Sequence, residues 1–282
     1  MTDSLILTLS GPDRVGIVHA VSGALAAHGG NITEAAQFND RSTGQFFMRV
    51  QFDVPAAAAD AVRGAVADVA QRLALRWQWH AAHARMRTVI LVSKLGHCLN
   101  DLLFRYRTQA LPLDIRAVVS NHRDFYRLAA SYDIPFHHIP VTPQTKAQAE
   151  ARLLEVVRQE EAELVVLARY MQILSDDLCQ ELAGRVINIH HSFLPSFKGA
   201  RPYHQAYDRG VKIIGATAHY VTPELDEGPI IEQDIARVDH ACDAEQLTHI
   251  GRDIECVVLA RAVTWHAQHR VLINGRKTVV FR

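Results

Sequence analysis

The sequence predicts an α/β protein with two domains: a small β-α-β-β-α-β unit, followed by a larger domain built on a mostly parallel sheet. Three observations support this prediction. Residues 1–82 alternate strand-like apolar runs with two helical patterns, residues 83–282 begin with repeated strand and helix units, and polar residues collect where several predicted strands end. The domain boundary is therefore predicted between residues 82 and 83.

The first domain contains four predicted strands and two predicted helices in ferredoxin-like order. Both helices carry apolar residues at helical spacing, and Gly29-Gly30 ends the first of them. The turn-rich residues 39–44 join the second and third strands as a hairpin. The strands are predicted at Ser4–Leu9, Asn31–Phe38, Gln45–Val54 and Arg76–His80, and the helices at Val15–His28 and Ala56–Leu75.

The second domain begins with repeated β-α units, which predict parallel strands covered by helices on both faces in a Rossmann-like arrangement. Strands are predicted at Thr88–Val92, Ile115–Ser120, Pro135–Ile139, Leu164–Leu167 and Arg185–Ile189. Helices are predicted at Cys98–Gln109, Arg123–Tyr132, Lys146–Glu160 and Ser175–Leu182. Further strands at Lys212–Val221 and Pro229–Val238, a long helix at Ala244–His269 and a hairpin over Val271–Phe281 complete the domain.

Composition restricts the class of function. The 282 residues include 30 basic and 30 acidic side chains, and this balance argues against nucleic acid or an anionic membrane as the main partner. We therefore expect a small-molecule substrate.

The sequence contains no signal-peptide pattern and no apolar run long enough for a membrane span, which predicts a cytoplasmic protein. The four scattered cysteines form no C-x-x-C pair, so we expect reduced thiols.

Three polar side chains predict a reaction site. Asn188 and His190 lie two residues apart at the end of a predicted strand, so they point to the same face. Asp226 follows later, in the segment Leu225-Asp226-Glu227-Gly228-Pro229. Ligands of open α/β sheets bind beyond the carboxyl ends of the strands. An amide, an imidazole and a carboxylate in such a position indicate an enzyme.

Several motifs of the second domain resemble the folate-dependent formyltransferase family. They are residues 166–174, the strand end Asn188-Ile189-His190, Leu194-Pro195-Ser196-Phe197, and residues 225–229. The first domain resembles an ACT domain, and the combination is similar to the formyltetrahydrofolate deformylases over essentially the whole chain. This resemblance implies hydrolysis of 10-formyltetrahydrofolate to tetrahydrofolate and formate, which supplies formate for purine synthesis and balances the one-carbon folate pools. It implies no tightly bound cofactor.

The resemblance also implies roles for the three polar residues. Asn188 and His190 correspond to groups around the formyl oxygen, and Asp226 to the proton-transfer residue. This agrees with elementary chemistry, because an amide and an imidazole can stabilise the negative charge that attack of water creates on oxygen. A carboxylate with a raised pKa can take a proton from water and pass it to the folate nitrogen. The structural alternatives are a polar cap of the sheet for Asn188, a hydrogen-bonded core histidine for His190 and an Asx turn for Asp226.

The substrate-binding residues follow from the same resemblance. Met171-Gln172-Ile173-Leu174 is interpreted as a backbone edge that binds the pterin ring, with an apolar turn as the alternative, and Gly228 is assigned to the same site. Lys198, Arg201 and His204 could face the glutamate tail of folate, or be ordinary solvated loop residues.

The lack of a glycine-rich phosphate loop predicts which acceptor receives the formyl group. An enzyme that formylates a phosphorylated ribonucleotide needs backbone amides around the phosphate, usually in a glycine-rich loop after the first strand. The segment Ser93–Asn100 has one glycine and a bulky leucine, which favours water as the acceptor. A formyltransferase for another amine and a non-catalytic amino-acid or folate sensor remain alternatives. His97 either replaces part of the amine site or caps the following helix.

No metal site is predicted. His137-His138 and His190-His191 are adjacent pairs, and neighbouring residues of a strand face opposite sides of the sheet. Neither pair is therefore expected to chelate one ion.

The ACT resemblance implies an amino-acid effector site around Asp13, Gly16, Asn31 and Ile32. Free backbone amides at the turn and the helix start could hold a carboxylate, although an ordinary turn with a helix cap has the same pattern. Exposed sheet edges pair readily between subunits, so we expect a homo-oligomer.

Overall fold

The computed structural model describes residues 2–194 and 202–282, which form two compact units. The first contains Met1–Ala84, Gln268–Asn274 and Thr278–Arg282, and the second contains Arg85–Ala267 and Gly275–Lys277. The observed boundary after residue 84 lies beside the predicted boundary. The structure differs from the predicted division in one respect, since most of the last fifteen residues belong to the first unit rather than the second.

The first unit contains an antiparallel sheet of four strands in the order β2-β3-β1-β4. Leu7, Val21, Phe52 and Val66 are among the buried residues that join this sheet to its two helices. The predicted β-α-β-β-α-β order is confirmed. The elements are β1 (Thr2–Pro12), α1 (Ile17–Ala27), β2 (Asn31–Asp40), β3 (Gln45–Pro55), a 3₁₀ turn (Ala56–Ala58), α2 (Ala59–Leu73) and β4 (Arg76–Ala81).

The C-terminal segment belongs to the first unit for both apolar and ionic reasons. Val279 and Phe281 pack with Phe47 in a small buried cluster. The guanidinium of Arg270 donates two hydrogen bonds, of 2.7 and 2.9 Å, to the two carboxylate oxygens of Glu34. The sequence could not predict this placement, because a terminal hairpin carries no signal for the domain on which it packs.

The second unit is built on a seven-stranded sheet in the order β11-β10-β9-β8-β5-β6-β7, in which the strands from β9 to β7 are parallel and β10 runs antiparallel to both its neighbours, β9 and β11. The predicted mostly parallel sheet is confirmed. The sequence analysis predicted each of these elements except the helix α7. The elements are β5 (Met86–Val92), α3 (His97–Arg107), β6 (Leu113–Ser120), α4 (Tyr126–Ala130), β7 (Phe136–His138), α5 (Lys146–Gln159), β8 (Leu164–Leu167), α6 (Asp176–Glu181), β9 (Val186–His190), α7 (Pro202–Asp208), β10 (Ile213–Tyr220), β11 (Ile230–Arg237) and α8 (Ala244–Ala267).

The C-terminal hairpin consists of β12 (Val271–Asn274) and β13 (Lys277–Val280), as predicted around Asn274-Gly275. Across the stretches of chain that the structure describes, no helix combines the length and the apolar character that a bilayer crossing requires.

The order of the sheet creates a switch point between β5 and β8. The chain runs from β5 to β6 and β7 on one side, and then returns to add β8 on the other side of β5. Connections therefore leave the carboxyl ends of β5 and β8 in opposite directions and open a crevice there. The backbone N–H of Ser93, after β5, donates to the carbonyl of Arg169, after β8, over 3.1 Å.

We predict that Glu34→Gln weakens the first unit. The side chain of Arg49 is only 2% exposed and pairs with Glu34 at 3.1 Å, while burial and the charge of Arg270 lower the pKa of Arg49. Glutamine keeps the shape but leaves two neighbouring guanidinium groups without an anion. Urea unfolding should report a loss of about 1–3 kcal/mol in the free energy of unfolding. Asp68→Asn, at an exposed acid of the same unit, is the matched control, and an equal effect of both substitutions would contradict the prediction.

Candidate active site

A cleft of about 960 Å³, including its open mouth, lies at the carboxyl ends of β8 and β9 in the second unit. Its walls come from three segments: the loop after β8, the end of β9 with the following residues, and the loop that follows β10. The lining includes seven of the eight residues assigned to the site from the sequence, namely Met171, Gln172, Ile173, Leu174, Asn188, His190 and Asp226.

The three predicted reactive groups all line this cleft. His190 Nδ1 lies 3.2 Å from Asp226 Oδ2, and the side chain of His190 is 5% exposed. Asn188 shares their wall of the cleft, as expected for strand positions two residues apart. The buried Nε2 atom of His190 has no hydrogen-bond partner among the described residues. It is therefore available to a substrate atom.

A fourth group, His219, completes this arrangement and was missed in the sequence analysis. The amide nitrogen of Asn188 lies 3.2 Å from His219 Nε2, and Asp226 Oδ1 lies 3.6 Å from the same atom. His219 Nδ1 is 2.9 Å from the carbonyl of Tyr220, so this nitrogen carries the proton that the carbonyl accepts. Nε2 therefore accepts from Asn188 when the ring is neutral, and donates to Asp226 when it is protonated.

The register of two antiparallel strands brings His219 into the site. His219 in β10 pairs with Asn188 in β9, and Thr217 pairs with His190. The sequence predicts β10 and contains a polar residue near its end, but strand register is a tertiary property. No local pattern selects this histidine from the sixteen in the chain.

Asp226 occupies a left-handed backbone conformation, with φ of 57°. Aspartate tolerates this region better than most residues, and the turn directs its carboxylate towards the two histidines. Burial raises the pKa of Asp226, but hydrogen bonds from His190 and His219 outweigh burial and hold the pKa well below its usual value. The expected raised pKa of Asp226 is therefore wrong, because both neighbours favour the ionised form.

His191 also lines the cleft, beside His190. Their rings are stacked with centroids 5.0 Å apart, because β9 ends at His190 and the chain turns. The expectation that these two histidines face opposite sides is wrong for that reason. Burial lowers the pKa of His191 to about 4, and the positive charges of Arg169 and His190 act in the same direction. His191 is therefore neutral at neutral pH.

Apolar side chains also line the cleft. The side chains of Met171, Ile173 and Leu225 are more than half exposed, although all three line the cleft. The loop that carries the first two is fixed by Ser93, whose hydroxyl accepts from the N–H of Met171 at 2.9 Å and donates to Asn121 at 2.7 Å. Exposed apolar surface in a concave site suits a flat aromatic ligand.

Other residues that the sequence analysis named are not among the described residues of the cleft. Gly228 is not among the described residues that line the cleft. It lies against the backbone carbonyl of Tyr220, where a Cβ atom would overlap that oxygen, so glycine is required for close approach of two chain segments. Pro195, Ser196, Phe197, Lys198 and Arg201 lie outside the described residues, and His204 is exposed.

The structure assigns His97 to a buried cluster centred on Glu255, another residue that the sequence analysis missed. His97 Nε2 lies 2.7 Å from Glu255 Oε2, and Arg169 Nε lies 3.5 Å from the same oxygen. Within residues 2–194 and 202–282, His97, Cys98 and Glu255 are the group whose spacing could hold a metal ion, with ligand atoms within 4.8 Å of one another. Arg169 already supplies a positive charge to this carboxylate.

The four residues assigned to an effector site lie at opposite ends of the first unit. Asp13 and Gly16 follow the end of β1, and Gly16 has φ of 91° before α1 begins. Asn31 pairs with Asp53, which also pairs with Ser4 near the start of β1. Nine residues of strand separate Ser4 from Asp13, or about 30 Å at roughly 3.3 Å per residue. One chain therefore does not bring the four residues together.

Comparisons with known proteins agree with this architecture. Residues 5–67 match the ACT domain, and residues 86–263 match the family described as formyl transferase. A formyltetrahydrofolate deformylase of Corynebacterium sp. (strain P-1) is 52% identical over 279 residues, with 98% of both chains covered. The chain belongs to the formyltetrahydrofolate deformylase family. The crystal structure of a formyltetrahydrofolate deformylase from Burkholderia mallei has a TM-score of 0.95 and 52% identity, and the comparison covers 99% of this chain and 100% of that one.

The deformylase family shares the fold of its larger unit with transferases. Glycinamide ribonucleotide transformylase 1 of Symbiobacterium toebii has a TM-score of 0.66 and 30% identity, covering 71% of this chain and 95% of that one. The deformylase relatives match the whole chain, whereas this transferase matches only part of it. The relatives named above that match nearly the whole chain are formyltetrahydrofolate deformylases.

We predict that His191 makes stability depend on pH. Its pKa of about 4 in the folded chain is below the usual value of 6.5, so the unfolded chain binds the proton first. The contribution of His191 to the free energy of unfolding is therefore fully present above pH 6.5. It decreases as the pH falls towards 4, by up to about 1.4 kcal/mol per pH unit for one proton. Denaturant unfolding at several pH values should show that the free energy of unfolding changes less steeply with pH in His191→Asn than in the parent protein. The exposed His249→Asn is the control, and an unchanged slope for His191→Asn would refute this assignment.

Proposed function

We propose that this protein hydrolyses 10-formyltetrahydrofolate to tetrahydrofolate and formate. The observation that carries the proposal is one cleft lined both by Asn188, His190 and Asp226 and by exposed apolar side chains, in a chain of the deformylase family. The apolar side chains suit the pterin ring, with the backbone of Met171–Leu174 as its hydrogen-bonding edge. The polar groups suit the formyl group.

The proposed reaction begins with attack of water on the formyl carbon. Negative charge develops on the formyl oxygen, and Asn188 Nδ2 and His190 Nε2 are the donors available to it. For His190 to donate from Nε2 while Nδ1 donates to Asp226, the ring must carry both protons. The carboxylate of Asp226, 3.2 Å from Nδ1, is placed to accept one of them. Fixed donors of this kind are effective because they need no reorganisation as charge develops.

Asp226 is proposed to move the proton. Its lowered pKa keeps it ionised at neutral pH, and it accepts a proton from the attacking water as the new C–O bond forms, because that bond makes the water strongly acidic. So acidic a carboxyl group does not retain the proton, and passes it to N10 of the folate as the C–N bond breaks. The second hydrogen of the water leaves with formic acid, which ionises, so the products are tetrahydrofolate with a hydrogen on N10, formate and a proton.

His219 is proposed to position this machinery. Through Nε2 it fixes the amide of Asn188, which leaves the second amide hydrogen for the substrate oxygen.

Water is proposed as the acceptor, and two alternatives are less well supported. A formyltransferase would require a bound amine, but the segment Ser93–Asn100 lacks a glycine-rich phosphate loop. A non-catalytic sensor does not need an amide, an imidazole and a carboxylate in one cleft.

Hydrolysis involves no change of oxidation state, and the chain itself provides the donors and the carboxylate, so no tightly bound cofactor is proposed. The reaction serves cytoplasmic folate pools.

The ACT unit is proposed to bind an amino-acid effector between subunits. Asp13 and Gly16 lie at one end of the unit and Asn31 and Ile32 at the other, so one site can use both groups only if two chains contribute. Residues of β2, an edge strand, are largely exposed and could pair with a second chain. The proposed assembly is therefore a homo-oligomer, with the effector at its interface.

Formate release is the decisive test of the function. We expect the purified protein to release formate and tetrahydrofolate from 10-formyltetrahydrofolate with no amine present and with a chelator in the buffer. A coupled formate assay with and without candidate amines measures this directly. A strict requirement for an amine would show a transferase, and loss of activity on chelation would show a metalloenzyme.

Asp226→Asn should fold and bind folate but lose turnover. The amide keeps the size of the side chain and cannot exchange a proton, so kcat should fall at least about a hundredfold. Steady-state kinetics and folate titration separate the two effects. Glu224→Gln, an exposed carboxyl in the same loop, is the matched control and should keep nearly full activity. A normal kcat for Asp226→Asn would remove Asp226 from the mechanism.

A further inference from the structure

Tyr220 lies at the junction between the end of β10 and the loop that carries Asp226. Its side chain is buried, and its hydroxyl oxygen lies 2.7 Å from Nδ1 of His266, in α8. The two rings also meet edge to face, with centroids 5.6 Å apart. The reaction proposed above uses neither of these two side chains, so their pairing has no role in it so far.

The hydroxyl of Tyr220 is the donor in this hydrogen bond. Burial holds the pKa of Tyr220 well above its usual value, so the hydroxyl keeps its proton. Burial of the ring also lowers the pKa of His266 to about 4, so this imidazole is neutral at neutral pH. A neutral imidazole has one accepting nitrogen, and a buried hydroxyl proton needs an acceptor. Nδ1 of His266 therefore accepts the proton of Tyr220.

The backbone of Tyr220 holds two parts of the candidate active site. Its carbonyl accepts from Nδ1 of His219 at 2.9 Å, which leaves Nε2 of that ring for the amide of Asn188. Its N–H donates to the carbonyl of Pro229 at 2.9 Å. Asp226 lies in the segment between Tyr220 and Pro229, so this second hydrogen bond closes the loop that carries the carboxylate.

The ring of Tyr220 and the ring of His219 lie on opposite faces of the sheet, because they are neighbours on one strand. His219 lines the cleft, whereas Tyr220 is directed to α8 and is not among the described residues of the cleft. A hydrogen bond on one face of the sheet thus anchors the peptide whose carbonyl orients a ring on the other face.

We propose that Tyr220 is a positioning residue for the reaction, and that its hydrogen bond to His266 fixes the peptide that orients His219 and closes the Asp226 loop. Through His219, this hydrogen bond selects the imidazole tautomer that accepts from Asn188. The inference rests on the proposed function for its effect on turnover. Its effect on His219 can be measured without substrate.

Tyr220→Phe removes the hydroxyl and keeps the ring. We expect this variant to fold and to release formate with a kcat about three- to tenfold lower, the factor that corresponds to one net hydrogen bond. KM for 10-formyltetrahydrofolate should stay close to the parent value, because Tyr220 does not line the described part of the cleft. Tyr126→Phe, at an exposed tyrosine of α4, is the matched control and should keep the parent kcat.

Two substitutions of His266 separate the hydrogen bond from the packing of the ring. His266→Asn keeps an acceptor oxygen near the place of Nδ1 and should retain most of the parent kcat. His266→Leu has a similar size but no acceptor, and it should be as slow as Tyr220→Phe. The double variant of Tyr220→Phe and His266→Leu should be no slower than either single variant, because both remove the same interaction.

Nitrogen NMR of protein with labelled histidine, recorded without substrate, tests the link to His219. In the parent, the proton of this ring should lie on Nδ1. In Tyr220→Phe and His266→Leu, a larger share of the proton should move to Nε2, and the spectrum of His219→Gln identifies the signal. A pair with a purely structural role would lower the stability of the protein and leave this tautomer unchanged.

Circular dichroism establishes which variants fold. The inference is overturned by a parent-like kcat in folded Tyr220→Phe, by equal kcat values for His266→Asn and His266→Leu, or by an unchanged tautomer of His219. If Tyr220→Phe does not fold, the two His266 variants decide the matter. A parent protein that releases no formate contradicts the proposed function, whereas the tautomer of His219 still tests the role of Tyr220.

Discussion

The antiparallel pairing of β9 with β10 is the constraint on which the candidate active site depends. The register sets His219 opposite Asn188, and the turn after β10 returns Asp226 to the end of β9. A shift of one residue would turn each side chain of the strand to the other face of the sheet. Three separate segments of chain therefore form one site because a single ladder of backbone hydrogen bonds holds two of them.

Buried charge is the second organising feature, and each unit contains one example. In the first unit, Arg49 and Arg270 converge on Glu34, and in the second, His97 and Arg169 converge on Glu255. A buried ion is costly unless partners of opposite charge and hydrogen-bond donors surround it. In both clusters the partners come from segments far apart in sequence, so each cluster fixes a tertiary arrangement that apolar packing alone does not specify.

The electrostatics of the site differ from the sequence-based expectation in an instructive way. A carboxyl group in a partly buried site suggests a raised pKa, because burial disfavours charge. The sequence does not show which groups contact Asp226 in space, where two histidines lie against the carboxylate. The protein thus keeps Asp226 ionised and sets its reactivity through hydrogen bonds. His191 shows the opposite result, since burial and nearby cations keep it neutral.

By itself, the sequence determined the order of the elements in both units apart from α7, the mostly parallel sheet, and three members of the reactive group. These properties follow from local periodicity, from turn residues and from polar side chains at strand ends, all of which are readable over a few residues. Only the tertiary structure decided the place of the C-terminal segment, the inclusion of His219, the pKa direction of Asp226, the separation of Asp13 from Asn31, and the pairing of His97 with Glu255. The physical reason is common to all five. Register, burial and charge pairing depend on residues far apart in the chain, and no local pattern specifies which of them meet.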